Sequence, residues 1–214
     1  MKWGSKKEVA RKGVHLLSIF FVLIYLLFVY LFSHRAGIFA LIFLLILLII
    51  FEYVRIELKK KIPLISRFWW VKRDCEKEAM GSEVFFLIGS IICLAIFDVR
   101  IAFAAIFMTT FGDLAAAMIG RKFGKHKLKF MKRKSWEGVI AEFIVNIIVG
   151  FIFIRPLFTV GFTFGQPIWP VIITMAVVAT AVETMISKLE DNLVIPVFSG
   201  FAGQIALLIL IATF

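Results

Sequence analysis

The sequence contains little cysteine and relatively few acidic side chains. Of its 214 residues 2 are cysteines, with Cys75 in a charged stretch, Cys93 in an apolar one and no Cys-x-x-Cys spacing. A disulfide framework and a thiolate metal site are therefore not expected. Asp and Glu number 14 against 25 Lys and Arg, which gives a formal net charge of +11. Taken alone, this charge would suggest a nucleic-acid partner.

Hydrophobic residues dominate the composition and change that interpretation. They make up 62% of the chain, and 25 of them are Phe. A globular domain of this size is nearer half apolar and cannot bury such an excess in its core. The composition excludes a soluble enzyme, a disordered protein and a free nucleic-acid-binding protein. It indicates an integral membrane protein with basic loops.

Seven apolar stretches are predicted as transmembrane helices, so the expected fold is all-α and polytopic. A spanning helix needs about 20 largely apolar residues. The first stretch exceeds the apolar part of a signal peptide and lacks a cleavage site, which favours a retained helix. The third and fifth stretches are short for a full crossing. The predicted spans are 14–32, 36–53, 84–97, 101–119, 139–154, 169–186 and 193–214.

The basic residues predict how these spans cross the membrane. All but three of the 25 Lys and Arg residues precede the first span or lie in alternate loops; the exceptions are Arg35, Arg100 and Arg155. Because cytoplasmic loops collect Lys and Arg, the N-terminus is predicted to be cytoplasmic and the C-terminus outside.

We expect one transmembrane domain over residues 1–214, with two long cytoplasmic loops. The loop at about 55–80 is partly amphipathic, with Trp69 and Trp70 beside cations, as in segments that lie in the headgroup layer. An ordinary basic loop and a gate for a lipid substrate explain this pattern equally well. The loop at about 120–138 is strongly basic.

Four carboxylates are predicted in or at the ends of spans: Glu52, Asp113, Glu142 and Glu183. Ionisable residues inside a bilayer are costly, so they are candidates for function. The predicted orientation puts all four in the cytosolic half, whereas a transport path would place some near the midplane. The pattern predicts a polar pocket that opens to the cytoplasm.

Polar residues share helix faces with two of these acids. Asn146 lies four residues after Glu142, and Thr180 lies three residues before Glu183. In lipid, polar groups bond across closely packed helices. For Asn146 and Gln204, simple helix packing explains the pattern as well as a functional role does.

A basic group before the first span has helical spacing. Glu8, Arg11, Lys12 and His15 fall on one predicted helix face. Two interpretations explain this group about equally well. One is an ordinary salt bridge within a basic segment that sets the membrane topology, and the other is a functional cluster.

The basic loop at 120–138 combines glycines with cations. Gly120 and Gly124 faintly resemble a phosphate-binding loop, although the spacing is not that of a Walker sequence. Lys134 and Ser135 lead into the fifth predicted span, and a helix N-terminus suits phosphate oxygens. Cations beside recessed carboxylates are typical of a Mg²⁺–nucleotide site.

Four motifs lie in order along residues 8–196. They are Glu8-x-x-Arg11-Lys12-x-x-His15, Gly112-Asp113-x-x-Ala116 with Gly120 and Gly124, Lys132-x-Lys134-Ser135-Trp136-Glu137-Gly138, and Glu183 followed by Asp191-Asn192-x-x-Ile195-Pro196. Together they resemble the dolichol kinase family, which includes phytol and farnesol kinases and CTP-dependent diacylglycerol kinases. The resemblance implies a polytopic enzyme that uses a divalent metal to transfer the γ-phosphate of CTP to a lipid hydroxyl.

The sequence pattern is also similar in part to two other classes of protein. Phosphatidate cytidylyltransferases carry a similar glycine loop and Lys-Ser/Thr-Trp-Glu-Gly stretch, and they also use CTP and Mg²⁺. Their basic C-terminal signature is missing here, where Leu189-Glu190-Asp191-Asn192 stands instead. A small-solute transporter is less favoured because the predicted outer half is nearly devoid of polar residues.

The kinase interpretation assigns roles to specific residues. We expect Mg²⁺ to be held by Asp113 with Asp191 or Glu183, and either His15 or Glu142 to orient or deprotonate the lipid hydroxyl. Asp113, His15, Glu142 and Glu183 are thus the expected catalytic residues. Nucleotide and phosphate contacts are expected from Arg11, Lys12, Gly120, Gly124, Lys132, Lys134, Ser135, Glu137 and Asn192.

The expected substrates are CTP and a membrane lipid alcohol, either polyprenol or dolichol, phytol or geranylgeraniol, or diacylglycerol. The reaction is expected at the cytosolic face of the cell membrane of a prokaryote. A nucleic-acid partner is not expected, and the sequence leaves open whether the chain forms a homodimer.

Overall fold

The computed structural model describes residues 17–57, 80–128, 134–154, 168–185 and 191–213. Within these ranges the regular secondary structure is helical, and one isolated β-bridge joins Lys127 to Ser135. The predicted all-helical class is therefore confirmed for the described residues. Their helices are α1 (Leu17–Leu31), α2 (His34–Glu57), α3 (Ser82–Ile96), α4 (Val99–Phe107), a π-helical turn (Met108–Gly112), α5 (Asp113–Lys122), α6 (Trp136–Ile154), α7 (Trp169–Met185) and α8 (Asp191–Thr213).

Four of the described helical stretches are long and apolar enough to cross a membrane. They are α2, the continuous stretch Val99–Lys122, α6 and α8. The helices α1, α3 and α7 are apolar but shorter, with 15, 15 and 17 residues. Each predicted span thus overlaps a described helix, whereas the count of seven crossings and the orientation of the termini stay predictions.

The start of α6 has a local reason. The fifth apolar stretch begins at residue 139, and the sequence predicts that the helix itself starts at Trp136-Glu137-Gly138; α6 begins at Trp136. Ser135 precedes the helix, and its Oγ accepts a hydrogen bond from the Gly138 N–H at 3.3 Å. Such an N-cap satisfies a backbone donor that the first turn leaves without a helical partner. The cap lengthens α6 to 19 residues, which brings it close to a full membrane crossing.

The chain divides into two compact units, residues up to Ile91 and residues from Ile92 onward. In the first unit, α1 and α2 form a hairpin. Tyr25 Oη lies 2.7 Å from His34 Nδ1, and the Tyr25 ring fills the space beside Gly37, where a Cβ would lie 2.8 Å from it. A residue larger than glycine at position 37 would push these two helices apart.

Glu52, one of the four acids that sequence analysis placed in a common pocket, has structural partners in the first unit. Its carboxylate accepts hydrogen bonds from Arg55 Nε at 3.1 Å and from the Gly81 N–H at 2.9 Å. Glu52 and Arg55 are both buried. The hydrogen bond from Gly81 therefore ties the end of α2 to the residue just before α3.

Removal of Arg55 is expected to destabilise this unit. Arg55→Met leaves the buried Glu52 carboxylate without its guanidinium partner, which costs about 3 kcal/mol or more. Arg100→Met is the matched control, because the side chains of the Arg100–Asp98 pair are 20% and 30% exposed. Loss of that pair should cost about 1 kcal/mol or less. Thermal unfolding in detergent compares the two, and equal drops in melting temperature would contradict a special role for the buried pair.

In the second unit, α4 lies at the centre of the packing. Six of its 9 residues are buried, among them Ile101, Ala104 and Ile106. The helix α6 has a buried polar face and an exposed apolar face. Glu142, Asn146 and Gly150 on one face are buried, whereas Ile140, Ile144, Ile148 and Ile152 on another are each at least 50% exposed. An exposed apolar stripe beside a buried polar one is the pattern of a helix that faces lipid outward and polar partners inward.

Candidate active site

Two carboxylates from different helices meet inside the second unit. The side chains of Glu142 on α6 and Glu183 on α7 lie close enough to share a hydrogen bond. Their residues are 2% and 6% exposed. Two carboxyl groups this close, out of contact with water, are stabilised by a shared proton or by a nearby cation. The pair is therefore a candidate site for a proton or a metal ion.

Asp113 and Lys134 complete the group around these two acids. Both lie close enough to Glu142 to interact with it electrostatically. Lys134 Nζ donates a hydrogen bond to the main-chain oxygen of Glu183 and lies 3.8 Å from Glu183 Oε1. We call Asp113, Glu142 and Glu183 the acidic cluster. The structure thus brings together four of the predicted site residues.

Asp113 is presented by an unusual piece of backbone. It is the first residue of α5 and follows the π-helical turn Met108–Gly112 directly. The hydroxyls of Thr109 and Thr110 donate to the carbonyls of Ala105 and Ile106, four residues earlier, at 2.9 and 3.0 Å. Such bonds back to the preceding turn compete with regular helix geometry, and π turns are frequent at functional sites.

The basic loop folds onto the start of α6 through Glu137. Its Oε1 accepts hydrogen bonds from the N–H groups of Lys125 and His126 at 3.1 and 3.0 Å, and it lies 2.8 Å from His126 Nδ1. The Trp136 N–H donates to the His126 carbonyl at 3.0 Å. These backbone groups have partners within the chain, so the phosphate contacts expected of Glu137 and of the helix start stay predictions.

The glycines of the loop permit a close approach of α5 to α6. A Cβ at Gly138 would lie 2.9 Å from the Ala116 carbonyl oxygen, and one at Gly120 would lie 3.1 Å from Ser135 Oγ. A Cβ at Gly124 would overlap the Gly120 carbonyl oxygen. The motif glycines therefore have a packing role, which brings the chain around Ser135 against the helix that carries Asp113.

Asp191 and Asn192 form the first turn of α8. Asp191 Oδ1 accepts a hydrogen bond from the Asn192 N–H at 2.8 Å, and Asn192 is buried. Among the described residues, no three His, Cys, Asp or Glu side chains form a group that could hold a metal ion. The predicted metal set Asp113, Glu183 and Asp191 is thus not gathered into one three-ligand site, and its role stays a proposal. Four predicted site residues lie outside the described residues: Arg11, Lys12, His15 and Lys132.

Curated relatives of the chain are lipid kinases. CTP-dependent diacylglycerol kinase 1 of Schizosaccharomyces pombe is 31% identical over 135 residues, which cover 60% of this chain and 61% of the relative. CTP-dependent diacylglycerol kinase 1 of Saccharomyces cerevisiae is 27% identical over 154 residues, 70% of this chain and 51% of the relative. Phytol kinase 1, chloroplastic, of Arabidopsis thaliana is 26% identical over 145 residues, 64% of this chain and 47% of the relative.

These similarities confirm the resemblance that the motifs indicate. The relatives are diacylglycerol kinases and phytol kinases, two of the groups that the resemblance includes. The alignments span 47% to 61% of the length of these three relatives. No protein-family model matches the chain, and no solved structure matches it.

Proposed function

We propose that the protein is a CTP-dependent kinase that phosphorylates the hydroxyl of a membrane lipid alcohol. The observation that carries the proposal is the acidic cluster with Lys134, placed among apolar helices where unpaired charges are costly. The relatives named for CTP and for diacylglycerol or phytol support the same chemistry. Their names favour diacylglycerol or a phytol-like alcohol over dolichol and other polyprenols as the substrate.

The residues present fit a magnesium ion. Mg²⁺ prefers oxygen ligands and is usually held by one or two carboxylates together with substrate phosphates, so a cage built wholly from protein is not required. Glu183 and Asp113 would supply carboxylate oxygens to the metal, which leaves the Glu142 carboxylate beside them to accept a proton. When bound, the metal would neutralise charge on the transferring phosphoryl group.

The chain's own residues would act by holding charge and by moving one proton. Lys134, already placed beside the two glutamates, would neutralise phosphate oxygens of CTP. A carboxylate of the acidic cluster, Glu142 in our proposal, would accept the proton of the lipid hydroxyl as that oxygen attacks the γ-phosphorus and CDP leaves. Burial of the cluster would exclude water, which otherwise competes with the lipid hydroxyl.

We further propose that the site faces the cytosol. The basic loop that contributes Lys134 carries eight Lys and Arg residues between 121 and 134, and such loops remain on the cytoplasmic side. The lipid tail would then stay among the helices while its hydroxyl reaches the acidic cluster. A prokaryotic cell membrane and the absence of a nucleic-acid partner remain predictions of the sequence, which leaves the oligomeric state open.

Labelled CTP tests the reaction directly. Purified protein is incubated with CTP that carries label in either the α- or the γ-phosphate and with diacylglycerol, phytol, dolichol or phosphatidate in mixed micelles. The proposal expects γ-label in a lipid alcohol, and ATP as a weaker donor. α-Label in phosphatidate would identify a cytidylyltransferase instead, and no label in any lipid would contradict a lipid-modifying enzyme.

A further inference from the structure

A second polar group joins three helical elements of the second unit, next to the acidic cluster. Asn146 Nδ2 on α6 donates a hydrogen bond to Thr180 Oγ1 on α7 at 3.1 Å. Asn146 Oδ1 faces Gly112 in the π-helical turn, where a Cβ would lie 2.5 Å from it. Asn146 is fully buried, with an exposure of 0%. We call Gly112, Asn146 and Thr180 the polar clasp.

Each member of the polar clasp stands next to an acid of the acidic cluster on the same element. Gly112 immediately precedes Asp113, Asn146 follows Glu142 by four residues, and Thr180 precedes Glu183 by three. Residues three or four apart lie on one helix face, about one turn or ~5 Å apart along the axis. The polar clasp therefore lies within about one helical turn of each acid of the acidic cluster.

Helix packing alone does not account for this arrangement. Among the described residues, no donor reaches the buried Asn146 Oδ1. A buried acceptor without a donor is unfavourable, and an apolar side chain of similar shape would avoid that cost. At the end of the π-helical turn, the same oxygen occupies the space that any side chain at position 112 would need. Position 146 therefore carries a polar side chain, although an apolar side chain would pack there at a lower energetic cost.

We propose that the polar clasp positions the acidic cluster, with Asn146 and Thr180 as positioning residues that do not touch substrate. This inference rests on the proposed function, because the cluster is the site of that reaction. Loss of the clasp would let α6 and α7 separate, which would move the Glu142 and Glu183 oxygens apart. Partners that orient metal ligands typically contribute about 10–100-fold to metal affinity or activity.

The chain offers matched variants for a test. Thr180→Val and Asn146→Leu remove the bond between α6 and α7, while Thr180→Ser retains the hydroxyl. Thr184→Val is the control, since Thr184 lies one turn further along α7 and its hydroxyl donates within that helix, to the Thr180 carbonyl at 2.7 Å. Three properties are measured on the purified full chain: Mn²⁺ binding by electron paramagnetic resonance, transfer of γ-label from CTP, and thermal unfolding.

Thr180→Val and Asn146→Leu are expected to weaken Mn²⁺ binding about tenfold and to lower transfer in proportion, whereas Thr180→Ser and Thr184→Val stay within about twofold of wild type. Lower melting temperatures with unchanged Mn²⁺ binding would overturn the inference, because a purely structural bond would give that result. If the wild type binds Mn²⁺ but transfers no label, the proposed function fails while the binding data still decide the role of the clasp. Absence of Mn²⁺ binding to the wild type in the presence of CTP would overturn both.

Discussion

Glu142→Gln and Glu183→Gln should each reduce transfer of the γ-phosphate by about 10³-fold or more. The two carboxyl groups lie close enough to share a hydrogen bond, so either substitution removes one of the two acids that would hold a proton or a cation. Groups that act as a unit in catalysis are strongly non-additive. The double variant should therefore be about as inactive as either single variant.

The glutamine variants preserve shape, which separates loss of chemistry from loss of folding. Asp98→Asn is the control, because the Asp98 carboxylate caps the start of α4 and pairs with Arg100 outside the acidic cluster. Its activity should stay within about twofold of wild type, since Asp98 contacts Arg100 in a partly exposed ion pair. Single variants that keep more than about a tenth of wild-type activity would show that Glu142 and Glu183 pack the helices without taking part in the reaction.

Lys134→Met should lower kcat by about 10²-fold or more. The Lys134 side chain lies next to Glu183. Its Nζ is 3.8 Å from the Glu183 carboxylate and donates a hydrogen bond to the Glu183 main-chain oxygen. Removal of one preorganised charge that stabilises a transition state typically has an effect of this size. Lys134→Arg retains the charge in a different shape and should recover part of the activity.

Lys125→Met provides the matched control for Lys134. Lys125 belongs to the same basic loop, but its side chain is exposed and only its backbone N–H contacts Glu137. The control variant should therefore transfer phosphate at about the wild-type rate. Equal losses in the two variants would indicate a general effect of loop charge, and that result would contradict a specific role for Lys134.

The sequence predicted the acidic cluster because burial of charge in lipid is so costly. Glu142 and Glu183 each lie inside an apolar stretch, so each required a partner, and helical spacing put both on inward faces. The choice of Lys134 among the many loop cations depends on how the loop packs against α6. That packing is set by Glu137, Ser135 and the loop glycines, and their contacts only appear in three dimensions.

Three other structural features are predicted only in part by the sequence, or not at all. The spacing of apolar residues does not predict the π-helical turn before Asp113. The turn arises where threonine hydroxyls and packing alter one turn of a continuous helix. The sequence pattern groups Glu52 with the other acids, although Arg55 three residues later is the natural partner on the same helix face. The pattern also predicts Asn146 as part of a polar stripe, but its contact with Gly112 depends on tertiary packing.

Magnesium-dependent binding of labelled CTP is the most direct test of whether the acids of three helices form one nucleotide site. Equilibrium dialysis compares wild type with Asp113→Asn, in the presence and absence of Mg²⁺, without any need for turnover. We predict that Mg²⁺ strengthens CTP binding to the wild type by about tenfold or more and that this gain is lost in Asp113→Asn, since Asp113 lies beside the Glu142–Glu183 pair. CTP binding that is indifferent to Mg²⁺, or unchanged by Asp113→Asn, would contradict the account.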